Sequence, residues 1–456
     1  MTSSEFHNLS DLDIEWDNPA VAGMKYEIRE IVTIAKQLES LGLEICWENI
    51  GDPIQRGHEL PNWIREIIKS ALDKPETYAY VSSQGYLPTR QFLAERTNNR
   101  NGTLISADDI LFFNGLGDAI STLYRCLNPQ ARVLIPSPVY STHGAFEKLH
   151  ASNFPELQYS LDPYKAWKPD LNEIEKKLSN NPQIIAILMI NPDNPTGAVQ
   201  DLRVLQSIIK LAKKYNVCLI VDEVYAQVVW DGKHNFLSEY CSDVPAISLQ
   251  GISKDLPWPG ARCGWMEFYN RSKHEKFNKL VSALIRMKTM EVCATTLPQI
   301  VIPEILSHEK FSEHLSSRST QLMLRSNQLY EQLKTSSGLI PQKSKGSLFG
   351  MLIMDNDCFS SAIMPPIEHK YLEIFKPHLA NIAVDKIFTY YLLATTGICA
   401  VPLSSFNSTL QGVRITLLEK DESRFIELCR RIRQAFDRFY RFNYNHGNRQ
   451  LEAAGK

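Results

Sequence analysis

The chain of 456 residues lacks the features that mark several classes of protein. Its longest apolar run, Ile184 to Ile190, is far shorter than the roughly 20 residues that cross a bilayer. Its amino-terminal segment is polar and acidic and contains no apolar core of a signal peptide. The formal net charge is only -2, so the chain has no bulk attraction for nucleic acid or for a membrane surface.

Cysteine and histidine are present, but not in the spacings that bind metals or form redox pairs. The nine cysteines include no Cys-x-x-Cys pair, and their odd number fits reduced, mostly buried thiols. The 11 histidines include no His-x-x-x-His or His-Glu-x-x-His pattern. We therefore expect a cytoplasmic protein without a metal site.

Two common nucleotide-binding motifs are also missing. The sequence has no Gly-Lys-Ser/Thr of a phosphate-binding loop. The glycines around Leu116 resemble a dinucleotide-binding fingerprint, but Ile120 occupies the place of its third glycine. A dehydrogenase of the Rossmann type is therefore disfavoured.

From about residue 60 to residue 310, helical patterns alternate with short apolar runs. Five of these runs are read as strands: "DILFFNG", "ARVLIPSP", "IIAILMINP", "VCLIVDE" and "AISLQG". Such alternation is typical of an α/β fold whose mostly parallel sheet is covered by helices on both faces. We predict that residues 60–310 form this large domain.

The pattern changes after residue 310, where a long helix is predicted from Phe311 to Lys334, followed by the strand-like "GSLFGMLIMD". We predict a smaller α+β domain over residues 311–456. Residues 1–59 contain an amphipathic helix that ends at Gly42, and we expect this segment to fold back onto the small domain. The basic and aromatic end, "CRRIRQAFDRFYRFNYNHGNRQ", is read as a surface helix with its arginines in water rather than as a nucleic-acid patch.

Chemically useful residues follow the predicted strands. Ligands of parallel α/β sheets bind outside the carboxyl ends of the strands. The residues that follow these ends are Gly115, Leu116, Gly117, Tyr140, Asn194, Asp222, Tyr225, Ser253 and Lys254. We expect them to converge on one edge of the sheet.

One part of this set suits a phosphate. The helix that begins after Asn114 offers backbone N–H groups, and its glycines allow an anion to come close. Ser253 and Arg262 can donate further hydrogen bonds to the same anion.

The other part suits a flat, electron-withdrawing ring. Asp222 ends an apolar strand, so its carboxylate needs a cationic or N–H partner such as a protonated pyridine nitrogen. Asn194 and Tyr225 can hydrogen-bond a phenolic oxygen, and Tyr140 can stack on the ring. Lys254 can form an imine with an aldehyde if burial and nearby positive charge lower its pKa from the usual value of about 10.4.

The runs "NPDNPTG", "VDEVY" and "SK" followed by "PGARCGW" resemble the signatures of class I/II pyridoxal-phosphate (PLP)-dependent aminotransferases of fold type I. Their order and spacing match from about Lys25 to Leu418. The resemblance implies that Lys254 forms the aldimine with PLP and acts as the catalytic base. It also implies that Asp222 contacts the pyridine nitrogen, and that Tyr225 and Asn194 contact the ring oxygen.

The same resemblance implies further contacts. Tyr140 is expected on the ring face, and Arg262, Ser253 and the backbone from Gly115 to Gly117 on the phosphate. Tyr80, in "YVSSQG", matches a tyrosine that reaches the phosphate of the neighbouring subunit, which implies a homodimer.

For the substrate, Arg414 in "GVRITLL" matches the arginine that binds the α-carboxylate; a buried ion pair is the alternative interpretation. Gly51 in "NIGDP" and Asn194 are implied near the same carboxylate. Tyr26 and Arg29, in "YEIR", resemble a substrate-covering pair of the alanine-aminotransferase-like branch, although an ordinary amphipathic helix explains them equally well.

The sequence departs from the family pattern at two points of the phosphate site. Gly251 stands where a phosphate-binding serine is often found, and the loop reads "NGLGDA" where many relatives carry a polar pair. Phosphate binding should therefore depend more on backbone groups.

The resemblance predicts transfer of an amino group between an L-amino acid and a 2-oxo acid through a pyridoxamine intermediate. Alanine or glutamate with pyruvate or 2-oxoglutarate is favoured, because the start of the chain, "YEIR" followed by "NIGDP", resembles the alanine-type branch. The sequence also offers no clear second arginine for a dicarboxylate-specific site. A PLP-dependent C–S lyase or decarboxylase is the alternative on the same fold, and a non-catalytic ligand-binding protein is a remote one.

Overall fold

The computed structural model describes residues 16, 21, 27–152, 154–359 and 362–454. Its helices are α1 (Glu27–Ser40), α2 (Asn62–Ala71), α3 (Leu87–Asn98), α4 (Leu116–Cys126), α5 (Ser141–Ala151), α6 (Leu171–Asn180), α7 (Leu202–Tyr215), α8 (Leu237–Tyr240), α9 (Glu275–Met290), α10 (Thr296–Ser307), α11 (Phe311–Leu333), α12 (His369–Phe375), α13 (Val384–Thr396) and α14 (Glu422–Ala454). Its strands are β1 (Cys46–Trp47), β2 (Ile110–Phe113), β3 (Arg132–Ser137), β4 (Gln158–Asp162), β5 (Lys168–Pro169), β6 (Ile184–Ile190), β7 (Cys218–Asp222), β8 (Ala246–Gly251), β9 (Gly264–Tyr269), β10 (Leu339–Ile340), β11 (Phe349–Met354), β12 (Ile398–Cys399), β13 (Val401–Pro402) and β14 (Gly412–Thr416).

An eight-stranded sheet in the order β2-β9-β8-β7-β6-β3-β4-β5 forms the centre of the first part of the chain. Strands β4, β3, β6, β7 and β8 pair in parallel, which confirms the predicted mostly parallel α/β sheet. Strand β9 runs antiparallel to both of its neighbours, β8 and β2. Because β2 and β8 are both antiparallel to β9, they run in the same direction and end at the same edge of the sheet.

The local sequence explains both the strands and the helices that cover them. Strand β6 is apolar along its length and six of its seven residues are buried, as expected for a strand covered on both faces. Helix α7 begins where the side chain of Asp201 accepts a hydrogen bond from the Val204 N–H, and it ends at Asn216 in the left-handed conformation (φ 53°). Its apolar face, with Leu205 and Ile208 fully buried, packs on the sheet.

The later part of the chain forms an antiparallel sheet in the order β10-β11-β14-β13, with α11, α13 and α14 packed beside it. Helix α1 packs against α12 and β12, and the short strand β1 pairs in parallel with β12. In α14, Phe436 and Phe439 are buried and Arg430 and Arg438 are exposed, as predicted, but Arg431 and Arg433 are half-buried, and Arg431 donates a hydrogen bond to the Thr396 carbonyl. The domain limits at residues 59 and 310 remain a prediction.

The described part of the chain contains no helix with both the length and the hydropathy needed to cross a membrane.

Removing the ring of Phe436 should strongly destabilise the fold. This side chain is fully buried, and its ring centroid lies 5.4 Å from that of Phe388 and 5.9 Å from that of Phe359. We expect Phe436→Ala to lower the free energy of unfolding by about 3–5 kcal/mol, because it leaves a cavity in a packed core. Urea denaturation followed by circular dichroism measures this change. Ile426→Ala, on the exposed side of the same helix, should change it by less than about 0.5 kcal/mol.

Candidate active site

A cavity of about 300 Å³ lies at the carboxyl edge of the eight-stranded sheet. The predicted residues that line it are Gly51, Leu116, Gly117, Tyr140, Asn194, Asp222, Tyr225, Ser253, Lys254, Arg262 and Arg414. The other residues in its wall are Asn49, Ile120, Ile190, Val224, Pro259 and Phe349. Residues from both sheets and from the segment after β1 therefore enclose one space.

Lys254 lies on the loop that joins β8 to β9, and its amine points into this cavity. Its Nζ donates a hydrogen bond of 2.8 Å to the carbonyl oxygen of Gly51. Burial lowers the pKa of Lys254 to about 8, and the positive charges of Arg414, Arg318 and Arg262 act in the same direction, while Asp52 opposes them. A substantial fraction of the amine is therefore neutral near physiological pH, and only the neutral form can act as a nucleophile or a base.

Asp222 is the last residue of β7 and only 3 % of its surface is exposed. Its Oδ2 lies 3.1 Å from Nε2 of His143, and its Oδ1 accepts a hydrogen bond of 3.1 Å from the Val224 N–H. His143, in the first turn of α5, was missed by the sequence analysis. Its position three residues after Tyr140, on a helix that starts at the binding edge, was the available signal. The buried carboxylate is thereby oriented by two neighbours.

Arg414 lies on β14 and is 3 % exposed. Its Nη1 donates to Oδ1 of Asn194 at 3.1 Å, and its Nη2 donates to the carbonyl oxygen of Asn49 at 2.9 Å. The guanidinium carbon stands 4.0 Å from the ring centroid of Phe349. A cation held between a ring and two oxygen acceptors is a rigid binding group for a carboxylate.

A buried ion pair lies directly behind this arginine. Glu48 is fully buried; its carboxylate pairs with Arg56 and accepts a hydrogen bond of 2.6 Å from Oγ1 of Thr416. Burial raises the pKa of Glu48, and the positive charge of Arg56 opposes that shift. Because Glu48 precedes Asn49 and contacts β14 two residues from Arg414, it ties the two segments that hold the guanidinium.

The amino terminus of α4 forms another wall of the cavity. Gly115 precedes the helix with φ 85°, a conformation that favours glycine, and a Cβ there would lie 2.5 Å from the Arg262 guanidinium. A Cβ at Gly117 would meet no atom within 4 Å, so the cavity is open beside the first turn of α4. The fully buried Lys288 holds this turn by donating to Asp118 at 3.0 Å.

Three of the predicted residues that the structure describes do not line the cavity. Gly115 lies beside it, against Arg262. Tyr80 is 83 % exposed, and Arg29 is an exposed residue of α1. Tyr26 lies outside the described residues.

A family model described as aminotransferase class I and II matches residues 49–432. The chain belongs to the class I and II aminotransferases. An uncharacterized aminotransferase of Methanocaldococcus jannaschii is 46% identical to it over 418 residues, which cover 91% of this chain and 96% of the relative. The glutamate-pyruvate aminotransferase AlaA of Escherichia coli is 28% identical over 328 residues, or 71% of this chain and 79% of that enzyme.

Among solved structures, an alanine aminotransferase from Pyrococcus furiosus superimposes with a TM-score of 0.80 at 24% identity, covering 94% of this chain and 100% of that one. This likeness confirms the predicted fold type I architecture. The match to the family model confirms the predicted family. It also confirms the predicted PLP dependence, because class I and II aminotransferases use PLP as their cofactor.

The cavity of this aminotransferase fits PLP. It combines a buried amine of lowered pKa, a carboxylate at the end of a strand, and an open helix terminus next to an arginine. These groups match an aldehyde, a protonated pyridine nitrogen and a phosphate, respectively.

Glu48→Gln should destabilise this aminotransferase by about 3 kcal/mol, because Arg56, whose side chain is 11 % exposed, would keep only Glu419, 3.8 Å away, as its counter-charge. The measurement is the free energy of unfolding in urea. Glu427→Gln removes a partner from the half-exposed pair with Arg430 and should change stability by less than about 1 kcal/mol. Equal stability of the Glu48→Gln protein and the parent would contradict the structural importance of this pair.

Proposed function

We propose that this aminotransferase transfers the amino group of alanine or glutamate to 2-oxoglutarate or pyruvate. The observation that carries the proposal is the charge of the cavity wall. Among the described residues that line it, the only guanidinium groups are those of Arg262, beside the helix terminus, and Arg414, on the opposite side. Once a phosphate and an α-carboxylate occupy them, the uncharged side chain of alanine or pyruvate fits the remaining space, whereas the second carboxylate of glutamate or 2-oxoglutarate has to stay hydrated at the mouth of the cavity. The Escherichia coli relative, a glutamate-pyruvate aminotransferase, supports the same choice.

We infer that Lys254 holds the cofactor and that Asp222 pairs with its ring nitrogen. When bound, PLP supplies an aldehyde for covalent attachment and a protonated ring that withdraws electrons. Tyr225 and Asn194 would contact the ring oxygen, and Tyr140 the ring face. The phosphate would lie among Ser253, Arg262 and the backbone of Gly115, Leu116 and Gly117.

We infer that the chain contributes two actions to the reaction. Arg414, with Asn194 and the backbone at Gly51, orients the α-carboxylate, which directs the α-hydrogen toward Lys254. The Lys254 amine, released from the cofactor when the substrate amine takes its place, then accepts the α-proton and returns it to another carbon, because its pKa of about 8 lies near the working pH.

We infer that the enzyme works as a homodimer in which Tyr80 reaches the phosphate of the partner subunit. Two large side chains are exposed in this segment: Tyr78 is 73 % and Tyr80 83 % exposed. Thr296 donates a hydrogen bond to the Ala79 carbonyl, which brings the segment after α9 beside Tyr80. Exposed large apolar side chains are typical of an interface.

A half-reaction followed in the visible spectrum tests the proposed substrates. Alanine and glutamate, added singly to the holoenzyme, should abolish the absorption of the Lys254-bound cofactor, and pyruvate or 2-oxoglutarate should restore it. Lys254→Ala, as control, should lack the borohydride-stable cofactor adduct at this position. Release of ammonia without an oxo-acid acceptor would instead indicate a lyase, and carbon dioxide a decarboxylase. A screen in which other amino acids react at least ten times faster than alanine and glutamate would refute the substrate assignment.

Arg414→Lys should raise the KM for alanine roughly 100-fold, since a single ammonium cannot make the paired hydrogen bonds of a guanidinium to a carboxylate. Steady-state kinetics at saturating oxo acid measure the change. Arg430→Lys, on the exposed side of α14, serves as the matched control and should leave KM unchanged. An unaltered KM in the Arg414→Lys enzyme would exclude this residue from carboxylate binding.

A further inference from the structure

Helix α11 connects the two hydrophobic clusters of the molecule. Phe311, at its start, belongs to the cluster that packs on one face of the eight-stranded sheet. Leu322, Leu329 and Leu333, farther along, belong to the cluster of the carboxyl-terminal region. Arg318 lies between these two parts, where the helix passes beneath the loop that carries Lys254.

Arg318 binds the backbone of that loop at two successive residues. Its Nη1 donates to the carbonyl oxygen of Lys254 at 2.6 Å and to the carbonyl oxygen of Asp255 at 2.6 Å. His314, one turn earlier on α11, also hydrogen-bonds to the Asp255 backbone. Hydrogen bonds from a charged donor are roughly twice as strong as neutral ones, so this contact restrains the peptide that carries the amine.

The surroundings of the Arg318 guanidinium differ from those of the other arginines near Lys254. Burial lowers the pKa of Arg318 to about 10, so the group stays cationic at neutral pH. Burial raises the pKa of the adjacent Asp255 carboxyl, and the positive charges of Arg318 and Arg96 oppose that shift. Arg262 and Arg414 face the cavity, where bound anions would neutralise them, whereas Arg318 contacts main-chain carbonyls outside the cavity wall.

We propose that Arg318 is a positioning residue for Lys254: it restrains the backbone that carries the amine and supplies a positive charge that bound substrate and cofactor do not neutralise. The proposal rests on the role of Lys254 proposed above. The charged and titratable groups around this amine are Asp52, Tyr140, Asp222, Tyr225, Arg262, Arg318 and Arg414.

Two substitutions in the holoenzyme separate the charge from the backbone contact. Arg318→Gln removes the charge, so the pH midpoint of the Lys254-bound cofactor absorption should rise by roughly 0.5 to 1 unit, because a nearby cation disfavours protonation of the attached nitrogen. Arg318→Lys keeps the charge but loses the guanidinium geometry. Its midpoint should stay near that of the parent enzyme, while kcat falls about tenfold and the KM for alanine changes less than twofold.

The same helix offers a matched control. Arg325 is also buried and also donates to two successive carbonyl oxygens, those of Glu419 at 2.9 Å and Lys420 at 2.8 Å, away from Lys254. Arg325→Gln should lower the unfolding temperature as much as Arg318→Gln does, yet it should leave the pH midpoint unchanged.

The proposal is overturned if Arg318→Gln leaves the pH midpoint and kcat at parental values, or if it changes only the unfolding temperature, as Arg325→Gln does. Should Arg318→Gln fail to fold, Arg318→Lys decides: parental kcat overturns the proposal and a selective fall in kcat supports it. Failure of the proposed function is distinguishable, because the parent enzyme would then show no Lys254-bound cofactor absorption.

Discussion

Burial of the Lys254 amine is the interaction on which the site depends. A charged ammonium loses its hydration when it is enclosed, so burial favours the neutral form. The positive charges of three arginines add to this effect, and the negative charge of Asp52 opposes it. The close approach of Gly51 is part of the same enclosure, since a Cβ at this position would lie 2.8 Å from the Phe349 ring. The lowered pKa of the Lys254 amine, and with it the reactivity of the amine, thus depends on the residues that enclose it.

The reversed strand β9 explains how a lysine and an arginine eight positions apart reach the same cavity. The loop that leaves β8 must return to the edge from which it started, because β9 is antiparallel to β8. Lys254 comes just after the end of β8, and Arg262 just before the start of β9. Strand β2 is reversed once more, so α4 also begins at this edge, next to Arg262.

The sequence predicted the parts of the fold whose signal is local. Mostly apolar runs identified β2, β3, β6, β7 and β8, and the residues that follow them line the cavity. Strand β4 was missed because only runs of consecutive apolar residues were interpreted as strands, whereas β4 alternates polar and apolar residues. Strand β5 was missed because it has only two residues. Strand β9 was missed because its first residues were interpreted as part of a loop motif.

Contacts between distant segments could not be predicted from local patterns. His143 is 79 positions from Asp222, and the Asn49 carbonyl is 365 positions from Arg414. Arg318 looks like one polar residue of an amphipathic helix, and only the packing of α11 beneath the Lys254 loop distinguishes it. The roles assigned to Tyr80, Arg414 and Gly51 came from family resemblance, since their spacing alone carries no chemical information.

The charge of the cavity also limits how the enzyme can discriminate between substrates. A second carboxylate on the substrate would find no further arginine among the described residues that line the cavity. Enclosing that carboxylate without a partner would be costly, so it must stay hydrated at the mouth or meet a group of a second subunit. Discrimination among small uncharged side chains would then depend on fit alone, which is worth only about 1–3 kcal/mol per methylene. An enzyme built in this way should accept several small amino acids and exclude those whose charged groups are too short to reach water.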